Sequence, residues 1–322
     1  MRSTESSGDF VVIHSLDPDD ASTINRIDAA ARPYKGVPWR IEARAQYDAL
    51  MEGVSPRGDV TFKSDTVGGV PGLWVQPASS RPDEALLHFH GGWFNAGSAR
   101  AYRHLVGHIA AGAGTRAFVP DYRLAPEHPF PAAVDDVLAT YQGMDDRGIR
   151  RIAITGDSAG GDLALVLASR VAGKAVSAKA MLVAAAVLSP VTDLTLSGAT
   201  YETRAEADPY FTKQQVAELV RSYLGSADAN DPLASPLQGR LSGLPPIRMH
   251  VGDDEVLLDD SRRYVERAIA AGVDARLDVW TGMPHGFVAS IGTLKASARA
   301  LDAVGMFLVE RLRAGHRTYA AS

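Results

Sequence analysis

The sequence contains no cysteine among its 322 residues. That absence excludes disulfides, thiolate nucleophiles and cysteine-ligated zinc, and it leaves the cellular compartment open. Long apolar runs are missing too. The longest, AMLVAAAVL from Ala180 to Leu188, is far short of the roughly 20 residues that a membrane helix needs. The first ten residues, MRSTESSGDF, hold one arginine and then polar residues, without the apolar stretch of a secretory signal. A cytoplasmic protein with no membrane partner is therefore expected. No basic run stands out: 33 Lys and Arg against 38 Asp and Glu leave a net charge of −5, which argues against nucleic acid as a partner. There is neither an internal repeat nor a low-complexity tract.

What is present is a globular composition, 46% hydrophobic, in a length suited to one large α/β domain or two smaller ones. Residues 1–55 read as helical. Asp17 suits an N-cap with Pro18 at the first helical position, Ile24 and Ile27 share a face, and a second helical stretch over 38–52 ends at Gly53. Two strand-like runs follow, DVTFKSDTV and VPGLWVQP. From residue 84 the rhythm is strand, glycine-rich loop, helix. EALLHFH, RAFVPDY, RIAITGD and MLVAAAVLSP are strands, with helices after Ser98, from about Ala132 and from Ser158. This alternation implies an α/β fold whose mostly parallel central sheet is flanked by helices.

The rhythm breaks at 193–243. That stretch holds one strong helix, with Thr212 and Gln215 spaced as a capping box, Val216, Leu219, Val220, Tyr223 and Leu224 on one face, and Gly225 at its end. It then resumes with strands IRMHVGD and ARLDVW and helices over 259–272 and 293–313. The expected organisation is a core of 56–192 and 244–322, covered by a helical cap built from the N-terminal segment 1–55 and the inserted segment 193–243.

GDSAG, Gly156 to Gly160, fits G-x-S-x-G. Alone the pattern is weak, but a strand runs straight into it and a helix begins at Ser158. Such a turn holds the serine in a strained backbone with its Oγ exposed above the sheet. Gly156, Ala159, Gly160 and Gly161 are small enough for the close backbone contacts that the turn demands. A nucleophilic serine needs a base and then an acid, in the chain order serine, acid, histidine for this topology. His285, in TGMPHGF after the strand ARLDVW, is the base candidate. His250 lies inside a strand and reads as structural, and His316 lies in the polar tail. The acid should end the preceding strand, where MHVGDDEVLLDDS supplies Asp253, Asp254 and Glu255. Asp259 and Asp260 read instead as the N-cap and first turn of the next helix. Spacing does not choose among the first three.

Five stretches now resemble a known family: HGGWF (90–94), DYRLAPEHPFPAAVDD (121–136), GDSAGGDLA (156–164), DEVLLDDS (254–261) and MPHGF (283–287). They span most of residues 84–290 in family order, and the sequence is similar to the bacterial hormone-sensitive-lipase-like (family IV) esterases of the α/β-hydrolase superfamily. It looks most like the subgroup of monoterpene lactone hydrolases and acetyl hydrolases. The resemblance implies an α/β-hydrolase fold with a helical cap and serine-dependent hydrolysis of short-chain or cyclic carboxylic esters, lactones among them, through an acyl-enzyme. It implies no cofactor and no metal, and it allows a homodimer through the last strand and helix. The family's acid is usually the aspartate of an Asp-Pro-Leu-x-Asp-Glu segment. Glu255 falls at that position here, a departure in residue type, with Asp254 in reserve.

The same resemblance assigns the HGG turn. Backbone N–H groups of Gly91 and Gly92, with that of Ala159, are expected to form the oxyanion hole, and Trp93 stands where relatives carry a third glycine that is not a principal donor. Its indole either lines the pocket or packs away from it. His90 is expected to brace this loop and His88 to pack. Asp121, Arg123, Glu127 and His128 are read as a structural polar network beside the nucleophile. Trp39, Trp93, Tyr210 and Phe211 are candidate pocket residues, and Tyr34 and Tyr201 lie in segments that could cover the site or be cap core. Two other readings stand beside the esterase. A small-molecule binding protein on this fold would resemble the plant gibberellin receptors, which lack the complete triad that is present here. A metal-dependent hydrolase would use His88 and His90, which alternation puts on one strand face, but no H-E-x-x-H motif accompanies them.

Overall fold

A computed structural model of the chain describes residues 10–78 and 80–314. His316, read above as a solvated tail residue, lies outside them. In chain order the elements are strand β1 (Val11–His14), helices α1 (Pro18–Ala31) and α2 (Arg44–Glu52), the hairpin β2 (Val60–Val67) and β3 (Val70–Pro77), then β4 (Glu84–Phe89), α3 (Ala99–Ala113), β5 (Ala117–Pro120), α4 (Ala132–Asp146), β6 (Arg151–Asp157) and α5 (Ala159–Ala172). They continue with β7 (Met181–Leu188), the short α6 (Thr200–Thr203), α7 (Lys213–Leu224), β8 (Ile247–Gly252), α8 (Leu258–Ala270), β9 (Ala275–Trp280) and α9 (Lys295–Arg313).

The nine strands form one sheet in the order β1-β9-β8-β7-β6-β4-β5-β3-β2. Only the β2–β3 and β3–β5 pairings are antiparallel. The central strands β4 and β6 are buried almost end to end, which is why their sequences show apolar runs rather than alternation. Alternate residues still feed opposite faces. Ala85, Leu87 and Phe89 join a core with α4, α5 and α8, whereas Leu86 joins a second core with α3 and α9. Among the described residues no helix is long and apolar enough to cross a membrane.

Local signals place most element ends. Asp17 caps α1 by accepting from the Asp19 N–H at 3.0 Å, Pro18 opens it, and Ser98 caps α3 through the Ala101 N–H at 3.1 Å. Three expectations are corrected. The N-terminal segment is not helical throughout: β1 pairs in parallel with β9, Val11 opposite Leu277 through His14 opposite Trp280. The capping box of α7 is half formed. Thr212 accepts the Gln215 N–H at 3.2 Å, but the Gln215 side chain leaves the helix and donates to the Val37 carbonyl at 2.8 Å. Asp259 is not the cap of α8, because Leu257 precedes that helix and both aspartates sit in its first turn.

The pairing of β1 has a consequence for assembly. The last strand, β9, lies between β8 and β1 and offers no free edge, so pairing of two copies through that strand is blocked in this fold. Segments 1–55 and 193–243 also bond each other: Lys35 Nζ donates to the carbonyls of Ala205 at 2.5 Å and Asp208 at 2.6 Å.

Candidate active site

Ser158, Glu255, His285 and Gly91 all follow the carboxyl ends of strands (β6, β8, β9 and β4), the edge at which open α/β sheets present their chemistry. Ser158 has φ 52° and ψ −121°, a backbone that L-residues rarely adopt and that costs about 1–3 kcal/mol. The surroundings enforce it. Its N–H donates to the Leu188 carbonyl at 2.9 Å, and its own carbonyl accepts from Val191 at 3.1 Å and Gly161 at 3.0 Å. The turn closes only on glycine: a Cβ on Gly160 would lie 2.0 Å from the Phe89 carbonyl oxygen, and one on Gly156 would lie 2.2 Å from that of Gly160.

Among the candidate acids, Glu255 is the residue that meets His285. Its Oε2 lies 2.7 Å from His285 Nδ1, while Oε1 accepts from Ser189 Oγ and from the Gly252 N–H, each at 2.7 Å. Glu255 is fully buried, so these three contacts occupy its carboxylate in a site where water does not compete. Asp254 stays half-buried on the neighbouring position, where its backbone N–H donates to the Met283 carbonyl at 3.2 Å, and burial followed by the Asp253 charge raises its carboxyl above the usual range. Burial by itself would lower the His285 imidazole, but the charge and hydrogen bond of Glu255 outweigh it and hold the group above the ordinary histidine value. A carboxylate at Nδ1 fixes the proton there and leaves Nε2 as the basic nitrogen.

The HGG turn is corrected in one respect. The Gly91 N–H, expected as an oxyanion donor, donates instead to Asp157 Oδ1 at 3.1 Å. The following N–H groups, of Gly92 and Trp93, have no acceptor among the described residues, and neither does that of Ala159. Backbone conformation accounts for this: Gly92, Trp93 and Phe94 take φ values of 112°, 52° and 61° in succession. Their carbonyls are all engaged. Gly92 O accepts from Asn95 and Ala96 N–H at 2.9 and 3.0 Å, Trp93 O from Asn95 Nδ2 at 2.6 Å, and Phe94 O from the Ala125 N–H at 2.9 Å.

Asp157, which sequence reading passed over, holds the loop beside Ser158. Besides Gly91 it accepts the Tyr102 hydroxyl at 2.9 Å, and that hydroxyl lies 2.6 Å from the hydroxyl of Tyr47 on α2. His90 behaves as a brace: Nδ1 is 2.9 Å from the Gly91 carbonyl, its ring stacks on Tyr122 at 4.2 Å, and burial holds it below the ordinary histidine value, hence neutral. His88 Nδ1 lies 2.9 Å from Thr155 Oγ1 inside the sheet. In the DYRLAPEHPFP loop, Asp121 accepts the Ala99 N–H at 2.6 Å, Arg123 Nε donates to Asp136 at 3.0 Å, and Glu127 takes a two-pronged contact from Arg44, both 2.7 Å. His128 enters through its backbone N–H, donated to the Leu124 carbonyl at 2.9 Å.

Of the expected pocket residues, Trp93 and Phe211 come together beside His285. Trp93 is buried and meets Phe211 edge to face at 5.5 Å, and Phe211 meets His285 the same way at 5.3 Å. Tyr210 packs beside Phe211 at 6.2 Å. Asp208 fixes this corner by accepting the N–H groups of Tyr210 (2.8 Å), Phe211 (2.9 Å) and Val256 (2.8 Å), which ties segment 193–243 to the residue after Glu255. Trp39 goes elsewhere. Its ring meets Tyr47 at 6.0 Å, and it lines a separate cavity with Asn95, Pro126 and Ser222. Tyr34 is exposed and Tyr201 is core.

Comparison with known proteins agrees with this architecture. A family model described as the alpha/beta hydrolase fold matches residues 86–289. An acetyl-hydrolase of Streptomyces hygroscopicus is 36% identical over 273 residues, covering 82% of this chain and 88% of that protein. An esterase of Acinetobacter venetianus is 34% identical over 247 residues, covering 76% and 80%. The crystal structure of an esterase from the bacterial hormone-sensitive lipase family superposes with a TM-score of 0.85 at 35% identity, over 93% of this chain and all of that one.

Proposed function

This chain belongs to the hormone-sensitive-lipase-like family of α/β-hydrolase-fold esterases and is a carboxylic-ester hydrolase, and from that premise we propose that it works through an acyl-enzyme on Ser158. The observation that carries the reading is the 2.7 Å contact between Glu255 and His285 Nδ1 at the same sheet edge as the strained serine. Ser158 Oγ attacks the ester carbonyl carbon as His285 Nε2 takes its proton. The imidazolium is balanced by Glu255, and its proton passes to the leaving alkoxide. Water, deprotonated by the same nitrogen, then releases the acid.

The tetrahedral oxygen needs donors without prior obligations. The N–H groups of Gly92, Trp93 and Ala159 meet that condition and Gly91 does not. Each such donor is worth roughly 3 kcal/mol in a dry site. Trp93 thus supplies a backbone donor and, with Phe211, an aromatic wall beside the base. That wall supports a compact acyl group or a ring, meaning short-chain esters and lactones, in line with the acetyl-hydrolase name of the Streptomyces relative. Among the described residues, helices α1 and α2 and the segment 193–243 act as the cap over this pocket, whereas β1 belongs to the sheet.

The test is turnover of p-nitrophenyl acetate, butyrate and octanoate alongside a lactone series, with intact-mass detection of a fluorophosphonate adduct. We expect acetate and butyrate to exceed octanoate, and Ser158→Ala to lose both turnover and adduct. Full activity in Ser158→Ala would falsify the serine mechanism, and a preference for octanoate would reject the compact pocket.

A further inference from the structure

A second concavity lies at the opposite end of the nucleophile helix. Ser158 precedes the first residue of α5, and the cavity gathers around its last turn, about 20 Å away at 1.5 Å per residue. It measures about 520 Å³, a volume within the range of small-molecule sites. Arg170 lines it from the last turn of α5, Lys174 from the turn just after that helix, and Arg240 and Ser242 from the segment before β8. Ser169 Oγ donates to the Arg240 carbonyl at 3.4 Å, which joins the two walls.

The charge in this cavity is unbalanced. Among the described residues none of Arg170, Lys174 and Arg240 makes an ion pair, although the chain as a whole carries −5. The one carboxylate in the lining, Asp231, is turned to its own loop and accepts the Leu233 N–H at 2.9 Å through Oδ1. Arg170 Nε is buried without an acceptor among the described residues, an arrangement that leaves a guanidinium N–H costly until something fills it. Arg240 uses Nε on Ser242 Oγ at 2.6 Å, and its two terminal nitrogens have no partner among the described residues. Complementing the helix dipole accounts for cations at the end of α5, but it does not account for Arg240, which arrives from a different part of the chain.

We propose that this cavity binds a small organic polyanion, with clustered phosphate or carboxylate oxygens held between Arg170, Lys174 and Arg240 and the ligand's carbon portion against Leu233 and Val166. The site is separate from the ester-hydrolysing centre and does not depend on how that centre works.

Calorimetric titration with inorganic pyrophosphate and with citrate, at ionic strength held constant by NaCl, tests it. One saturable site per chain is expected for at least one probe. Binding should weaken at least tenfold in the R170A/R240A double variant and also in the single Arg240→Glu variant, whose site is exposed and tolerant. Both variants should keep the wild-type turnover of p-nitrophenyl acetate, which shows that they are folded. Pyrophosphate alone would identify a phosphate ligand, and citrate alone a multicarboxylate. The proposal is overturned if neither probe saturates, or if affinity is unchanged in Arg240→Glu.

Discussion

At the scale of single residues, Glu255 and Asp254 are adjacent in the chain and unequal in the fold. Strand β8 ends at Gly252, where a Cβ would lie 2.0 Å from the Met283 carbonyl oxygen, and this close approach of the two loops brings Glu255 under the imidazole. We expect Glu255→Ala to lower kcat on the order of 10⁴-fold, as loss of a triad acid does elsewhere, and Asp254→Ala to leave it within about twofold. The pH profile separates orientation from charge. As the proposed base, His285 must be neutral to act, and Glu255 raises it against burial, so the acidic limb of kcat/KM should lie above the ordinary histidine value. In Glu255→Gln the raising charge is gone while burial stays, and the limb should move to lower pH. A limb that does not move would remove Glu255 from the base. Ser158 and His285 were legible in the sequence as candidates because each sits in a short local motif. Asp157, Ser189 and Asp208 were not, because their partners Gly91, Glu255 and Val256 are dozens of residues away.

At the scale of elements, β1 shows how an edge strand hides. VVIH is four residues long, Val11 and Ile13 are exposed, and the strand is held by backbone pairing rather than by a buried face. Period-two burial was therefore never written strongly into its sequence. Its anchors are tertiary: His14 stacks on Trp280 at 3.9 Å and bonds Asp278 at 2.7 Å. A chain lacking residues 1–15 keeps the Asp17 cap but leaves β9 as an open edge, a surface prone to pairing with another copy. We expect that truncation to unfold at lower temperature and to self-associate in light scattering after size exclusion, relative to the full chain. A truncated protein with the full chain's unfolding temperature and mass distribution would mean that β1 is dispensable. The helices read differently from β1. Their 3.6-residue stripes and their caps at Asp17, Ser98 and Thr212 lie within a few residues of one another, so local sequence suffices.

For the whole molecule, burying acids makes stability depend on pH. Asp260 is fully buried in α8, where its Oδ2 accepts the N–H groups of Thr192 (2.7 Å) and Asp193 (3.0 Å), and burial pushes its carboxyl up to about 7. A carboxyl raised in the folded state favours folding below its unfolded value near 3.8, and that advantage is lost as pH rises through about 7. Asp260→Asn keeps an acceptor for both N–H groups and cannot ionise. Urea unfolding at pH 5 and pH 8 should show a fall in stability for the wild type that shrinks in the variant, and an equal fall in both would sink the idea. The amino-acid sequence by itself determined the class of fold, the order of the strands and helices from residue 60 onward, and the serine and histidine candidates. These follow from periodicity and from motifs whose atoms interact within one turn or one loop. Only the tertiary structure decided which carboxylate reaches the imidazole, that the Gly91 N–H is spent on Asp157 while those of Gly92 and Trp93 find no acceptor among the described residues, and that β1 closes the sheet beside β9. Each of those depends on strands far apart in sequence lying about 5 Å apart in one sheet, and no local pattern records that distance.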